Sequence, residues 1–335
     1  MKNYNIAILG ATGLVGLEII KILNERNFPV NNLYLFASKK SAGKEININN
    51  KKYIINELTE EVFDNFKIDI VFSAISNELS KKFLPIAAKK NIFVIDNSSA
   101  FRLDKNVPLI IPEINPEDLD KHQNIIANPN CATIIGLMAL YGLNKFATIN
   151  SIIVSTYQAV SGAGINGITE LENQISNKNM EIKQFSKQIA YNIIPQIGEF
   201  NNEGYSSEEI KFQNEGRKIL HNDKLLVNCT CVRIPVIRSH SESITVYFDK
   251  EISIEKAKEI LQSQKGIKFI DLPDFPTPID VSNKDTVFVG RLRKNTLSND
   301  NKSLTLWCVG DQIRKGAASN AVDIAQLYIK KMTIN

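Results

Sequence analysis

The chain has 335 residues, 43% of them hydrophobic and 23% charged, with a formal net charge of +4 at pH 7, which leaves room for two domains and excludes extended disorder. Its positive charges are scattered, with no block of five like charges, so nucleic acid is not implied. No apolar run approaches the roughly 18 residues that span a bilayer, and the four cysteines fit neither a disulfide framework nor a common zinc spacing, so neither a membrane nor a metal is expected.

Residues 5–9, Asn-Ile-Ala-Ile-Leu, read as an apolar strand. Gly10-Ala11-Thr12-Gly13-Leu14-Val15-Gly16 and an amphipathic helix to about Arg26 follow at once. Strand, glycine turn and helix in that order suit a dinucleotide, because glycines let the backbone approach a pyrophosphate and the helix N-terminus offers N–H donors. A chain opening on a strand carries no charged and apolar signal segment there, so the expected compartment is the cytoplasm. The second strand, 33–36, ends in Ala37-Ser38-Lys39-Lys40-Ser41. An NAD site carries an acid about 20 residues beyond the glycines for the ribose hydroxyls. Hydroxyls and ammonium groups stand here instead, and they suit the 2′-phosphate of NADP.

Further strands at 68–72 and 92–95, with a helix over 78–89 between them, predict a Rossmann-type doubly wound parallel sheet. Ligands of such sheets lie beyond the carboxyl ends of the strands. Ser73-Ala74, Asp96-Asn97-Ser98-Ser99 and Cys131 all fall there. Cys131, in Asn128-Pro129-Asn130-Cys131-Ala132-Thr133, lies between a buried strand at 124–127 and a helix over 132–146. Unpaired N–H groups at that helix end are expected to favour a thiolate. A packed cysteine at a strand end is the competing reading, and the rest of the chain weighs against it.

Beyond this helix the pattern changes to alternating strands at 149–158, 225–233, 243–249, 286–293 and 303–309, with helices at 167–177 and 254–264. These predict an α+β domain on a mixed or antiparallel sheet. Cys229, Cys231 and Cys308 are expected in its core. A last helix from Gln312 to about Lys331 has apolar residues at Ile313, Ala317, Ala321, Ile324 and Leu327 and is expected to return to the first domain. The expected division is therefore 1–130 with 312–335 as the nucleotide domain, and 131–311 as the catalytic and dimerisation domain. His240, in Arg238-Ser239-His240-Ser241-Glu242, is the natural acid or base for Cys131. Arg102, Lys211 and Arg233 are candidate anion binders, with Lys211 reading equally as a solvated helix residue.

Taken together these motifs resemble the aspartate-semialdehyde dehydrogenases. The matching segments are Gly10 to Gly16, Asn97 to Arg102, Asn128 to Thr133, Gln158-Ala159-Val160-Ser161-Gly162-Ala163-Gly164, Asn192 to Pro195, Glu208 to Lys211, Arg233 to Val236, His240 to Glu242 and Gly310 to Arg314. Ser239, where that family often has Gly, and Gly216 are departures outside the proposed catalytic groups. The resemblance implies Cys131 as the acyl-enzyme nucleophile, His240 as acid/base and Gln158 as orienter of the acyl group. It implies Arg233 and Glu208 as holders of the substrate carboxylate and ammonium, and Arg102 with Lys211 as binders of phosphate. Thr12, Gly13, Leu14, Val15, Lys40, Ser41, Ser161, Gly162 and Gln312 would contact NADP(H). The implied reaction is the reversible NADPH-dependent conversion of L-aspartyl 4-phosphate to L-aspartate 4-semialdehyde and inorganic phosphate by a homodimer, in lysine and diaminopimelate, threonine and methionine biosynthesis. The alternatives are a reductase of another acyl phosphate, such as N-acetyl-gamma-glutamyl phosphate, and a non-catalytic nucleotide-binding regulator.

Overall fold

Unbroken apolar runs build the first sheet, since strands covered on both faces need no polar alternation. In the computed structural model, which describes residues 2–48, 51–178 and 180–334, the chain forms two units, Met1–Pro129 with Ala317–Asn335, and Asn130–Gly316. The first unit opens with β1 (Tyr4–Leu9), buried at every residue, then α1 (Leu14–Glu25) and β2 (Val30–Ala37). A hairpin of β3 (Glu45–Ile48) and β4 (Lys51–Glu57) follows, then a one-turn helix α2 (Val62–Asn65), β5 (Ile70–Ser73), α3 (Asn77–Lys89), β6 (Phe93–Asp96) and β7 (Ile125–Ala127). The sheet order is β3-β4-β2-β1-β5-β6-β7, parallel except for the β3–β4 pair. The hairpin was not anticipated, although Ile46, Ile48, Tyr53 and Ile55 alternate as strand residues should. The helix closing the chain, α9 (Ser319–Ile334), belongs to this unit, where Ala321, Val322, Ile324 and Ala325 share a core with Ile19, Ile22 and Leu23 of α1.

The second unit begins with α4 (Cys131–Phe146), then β8 (Ile149–Ala159), α5 (Gly164–Ile175), α6 (Ser207–Ile219), β9 (Leu226–Ile234) and β10 (His240–Phe248). After α7 (Ile254–Ser263) come β11 (Ile267–Ile270), the short α8 (Pro278–Val281), β12 (Val287–Lys294) and β13 (Ser303–Gly310). The mixed sheet runs β11-β12-β13-β10-β8-β9. Its strands alternate, so Ile152, Val154, Thr156 and Gln158 of β8 are buried while Asn150 and Ile153 are exposed.

Several boundaries differ from the sequence reading, and two of them bear on the site. β10 begins at His240 rather than Ser243, because β13 pairs with it as far as His240↔Gly310. The closing helix does not start at Gln312: a π-helical turn over Arg314–Ala318 precedes α9, and the Asp311 carboxylate accepts from the Ile313 and Arg314 N–H groups. In the second unit Cys229, Cys231 and Cys308 are buried core residues.

Candidate active site

The buried face of the mixed sheet ends in a polar row. Gln158 of β8 stands opposite Arg233 of β9, and the Gln158 and His240 Nε2 atoms lie 3.3 Å apart. One residue pair further in, Cys231, Thr156, Glu242 and Cys308 form a second row across β9, β8, β10 and β13. Strand alternation alone thus places His240, Gln158 and Arg233 together, although 75 residues separate Gln158 from Arg233 in the chain.

Each group in the row is held by neighbours. The Thr156 hydroxyl donates to Gln158 Oε1 at 2.9 Å, and Gln158 Nε2 donates to Glu208 Oε1 at 3.3 Å. The Ala159 N–H donates to His240 Nδ1 at 3.1 Å, so the neutral ring carries its proton on Nε2. The 3.3 Å approach of Gln158 Nε2 is then a packing contact between two donors. His240 is fully buried, and burial together with the Arg233 charge lowers its pKa to about 3. Arg233 donates to the Ala159 carbonyl at 2.6 Å and lies over the Phe185 ring at 5.9 Å. A Cβ on Gly162 would fall 2.8 Å from Arg233 Nη1 and 3.4 Å from His240 Cε1, so the absence of a side chain there lets the loop close over both.

Helix α6 supplies the acids. At its N-terminus the Glu209 carboxylate reaches back to accept from the Ser206 N–H at 2.7 Å, and it also accepts from the Cys231 N–H at 2.9 Å. Glu208 accepts from Lys211 at 3.0 Å, from Asn130 Nδ2 at 2.8 Å and from Gln158. Burial pushes its carboxyl up, but the Lys211 charge and these three donors outweigh it and hold the pKa at about 2. Lys211, left open by the sequence, is therefore the ion-pair partner of Glu208, with 31% of its side chain exposed.

Cys131 is the first residue of α4 and is partly exposed. The expectation of unpaired N–H groups around it is corrected here. Asn130 Oδ1 accepts from the Ala132 and Thr133 N–H groups at 3.0 and 3.3 Å, and the Asn130 N–H donates to Glu215 Oε2 at 2.6 Å. The cap takes two of the N–H donors that the sequence reading left open to the thiol. The favourable charge is that of Arg233, which is close enough for Cys131 in its anionic form to strengthen the guanidinium charge. Asn130 and Glu215 were missed as site residues, although Asn directly before an apolar helical run is a recognisable N-cap signal. Ser161 and Gln312 also lie in this unit. Gln312 donates to the Ser161 hydroxyl at 2.5 Å and accepts from the Ser239 N–H at 2.7 Å, so its amide spans the turn after β8 and the residue before His240.

In the first unit α1 begins after Gly13, which has extended backbone and makes no side-chain cap, so no side chain competes for the first helical N–H groups around Thr12 to Val15. That end fits a pyrophosphate. The turn after β2 carries exposed Ser38, Lys39 and Lys40 and half-buried Ser41, with the exposed Glu57 of β4 beside Ala37. Arg102 is buried, and its Nε and Nη2 donate to the carbonyls of Asn128 and Asn97, each at 2.9 Å, which sets the plane of its guanidinium. Among the described residues no three His, Cys, Asp or Glu side chains group to hold a metal, and no helix is long and apolar enough to cross a membrane.

Comparison with known proteins places these features. Residues 5–122 match the family described as semialdehyde dehydrogenase, NAD binding domain, and residues 140–315 match semialdehyde dehydrogenase, dimerisation domain. The aspartate-semialdehyde dehydrogenase of Aquifex aeolicus is 47% identical over 340 residues, covering 98% of this chain and 99% of that protein. That of Campylobacter jejuni is 45% identical, covering 98% of each chain. Crystal structures of aspartate semialdehyde dehydrogenase II from Vibrio cholerae, one of them complexed with ASA, superimpose with TM-scores of 0.94 at 42% and 41% identity, covering 98% of this chain and 99% of theirs. With a nucleotide-type parallel sheet, a thiol at the start of α4 and similarity along nearly its whole length, the chain belongs to the aspartate-semialdehyde dehydrogenase family.

Proposed function

We propose that the chain catalyses the reversible NADPH-dependent reduction of L-aspartyl 4-phosphate to L-aspartate 4-semialdehyde, with release of phosphate, through a thioester on Cys131. The observation that carries this reading is the grouping of His240, Gln158, Arg233 and an ionised Glu208 at one end of a sheet face, with Glu208 bonded to Asn130, the residue before the thiol. Arg233 suits the substrate α-carboxylate and Glu208 its ammonium. An N-acylated substrate has no ammonium for Glu208, which argues against the N-acetylglutamyl phosphate alternative. Lys211, partly exposed, and Arg102, with its plane set by two carbonyls, would take the phosphate.

The Cys131 sulfur attacks the acyl carbon, the C–O bond to phosphate breaks, and a thioester remains, oriented by Gln158. NADPH, when bound, supplies a hydride to the thioester carbon. His240, neutral near pH 7, offers its Nε2 proton to the carbonyl oxygen as negative charge grows there, an effect typically worth about 3 kcal/mol per donor. His240 then takes that proton back from the thiohemiacetal hydroxyl as the C–S bond breaks, releasing the semialdehyde and the Cys131 thiolate. Thr12, Gly13, Leu14 and Val15 would hold the pyrophosphate, and Lys40 with Ser41 the 2′-phosphate of NADP. Ser161, Gly162 and Gln312 would line the nicotinamide end of the cofactor. We assign the nucleotide role to the first unit and catalysis and homodimerisation to the second, and we place the reaction in lysine and diaminopimelate, threonine and methionine biosynthesis in the cytoplasm.

The test is phosphate-dependent reduction of NADP with aspartate semialdehyde, followed by NADPH absorbance in wild type and Cys131→Ala. The expected result is activity that requires phosphate, prefers NADP to NAD and disappears in the variant. Turnover that persists in Cys131→Ala would overturn the thioester. Folded wild type that binds NADP but turns over neither this substrate nor other acyl phosphates would be a nucleotide-binding regulator.

A further inference from the structure

The second unit ends at Gly316, inside the π-helical turn Arg314–Ala318, and Gly316 lies against the thiol residue. Gly316 donates its N–H to the Asp311 carbonyl five residues back at 3.0 Å. Such turns are rare and concentrate at functional sites. A Cβ built on Gly316 would fall 2.8 Å from Cys131 Cβ and 3.3 Å from Cys131 Cα, so the turn lays bare backbone against the nucleophile with no room for a methyl group. Gly316 is not among the positive-φ glycines, so space and not backbone conformation demands glycine here. The same segment grips the opposite partner. Asp311 Oδ2 accepts from Arg238 Nε at 2.6 Å, and Gln312 Oε1 accepts from the Ser239 N–H at 2.7 Å, the residue before His240.

We propose that Gly316 is a positioning residue for Cys131, and that Asp311–Gly316 is a bracket whose two ends set the nucleophile and the His240 loop against each other. The inference rests on the roles of Cys131 and His240 given above. It assigns work to a residue with no side chain: contact with Cys131 Cα and Cβ limits how the thiol residue can shift at the end of α4. Reacting atoms misplaced by as little as about 1 Å cost about a hundredfold in rate.

The experiment compares Gly316→Ala with Gly142→Ala. Gly142 is another crowded glycine further along α4, where a Cβ would fall 2.3 Å from Gln264 Oε1 and 2.8 Å from Ile260 Cγ2, away from Cys131. Gly316→Ala is expected to lower kcat at least about tenfold with KM within about twofold, and to slow alkylation of Cys131 by iodoacetamide, read by mass spectrometry, at least about threefold. Gly142→Ala should change only the unfolding temperature. Gly316→Ala alkylated and turning over like Gly142→Ala would overturn the proposal.

A thermal double-mutant cycle with Cys131→Gly reads the contact itself. The cost of Gly316→Ala should shrink when residue 131 has no Cβ, and recovery of folded protein in the double variant gives the same answer if the single variant does not fold. An undiminished cost, or no recovery, would overturn it. Alkylation and unfolding need no substrate, so absence of dehydrogenase activity in wild type would count against the reaction assignment and leave these readouts able to decide the bracket.

Discussion

Glu208 and Glu242 are both buried carboxyl groups, and their neighbours drive them to opposite charge states. Glu208 has Lys211 and donors from Asn130 and Gln158, which hold its pKa at about 2. Glu242, enclosed among the strands one row behind His240, has no hydrogen-bond partner for either oxygen among the described residues, and burial pushes its carboxyl well up. A folded-state pKa raised above the unfolded value gives a stability contribution present at low pH and lost as pH rises. Glu242→Gln, which keeps the neutral shape, should therefore raise the unfolding temperature more at pH 8 than at pH 5, and an equal change at both would show an ionised carboxylate. His240 works in the other direction. Its pKa of about 3 in the folded protein lies below the unfolded value, so the unfolded chain binds the extra proton and stability falls as pH drops from about 6.5 towards 3. That single group accounts for on the order of 2 kcal/mol between pH 6.5 and 5, and His240→Gln should flatten the acid limb of the unfolding-temperature profile by that amount. Both His240 and Cys131 were legible as residues in the sequence. The charge state of His240 was not, because it depends on burial by strands remote in the chain and on Arg233.

At the scale of elements, the start of α4 decides how the nucleophile is presented. The sequence identified a strand-to-helix junction at Cys131 but left its backbone groups open, whereas Asn130 closes them from one side and Glu215 of α6 from the other. Asn130 also bonds Glu208, so cap, nucleophile and the proposed ammonium site share one side chain. Asn130→Ala should destabilise the fold by about 1–3 kcal/mol, from the lost cap and the donor taken from Glu208, and should raise KM for aspartate semialdehyde. A KM unchanged beside the lowered stability would separate the cap from the binding site. The elements that escaped the sequence reading have physical reasons too. β3 and β4 are short and half-exposed, so their alternation carries little contrast, and α6 is so rich in charged residues that its apolar period is weak. β10 reaches His240 only because β13 is there to pair with it.

For the whole molecule, two units of different sheet type divide the chemistry proposed here. The core of the first includes α9 from the far end of the chain, packed with α1 and tied by an ion pair between Arg26 and Asp323 at 2.5 Å. The second matches a dimerisation domain, and its exposed apolar residues include Tyr191 (85%), Ile193 (62%) and Leu226 (60%). Sedimentation equilibrium is expected to give twice the 37.6 kDa of one chain, and a species of single-chain mass across the micromolar range would remove the homodimer. By itself the sequence determined what depends on neighbours along the chain: the glycine turn between a strand and a helix, the parallel sheet of buried runs, the thiol at a helix start and the motifs that carry the family resemblance. Only the tertiary structure decided that Gln158, His240, Arg233 and Glu208 meet and that Gly316 backs Cys131. Those contacts join residues tens to nearly two hundred positions apart, where strand register and helix packing, and no local pattern, set the distance.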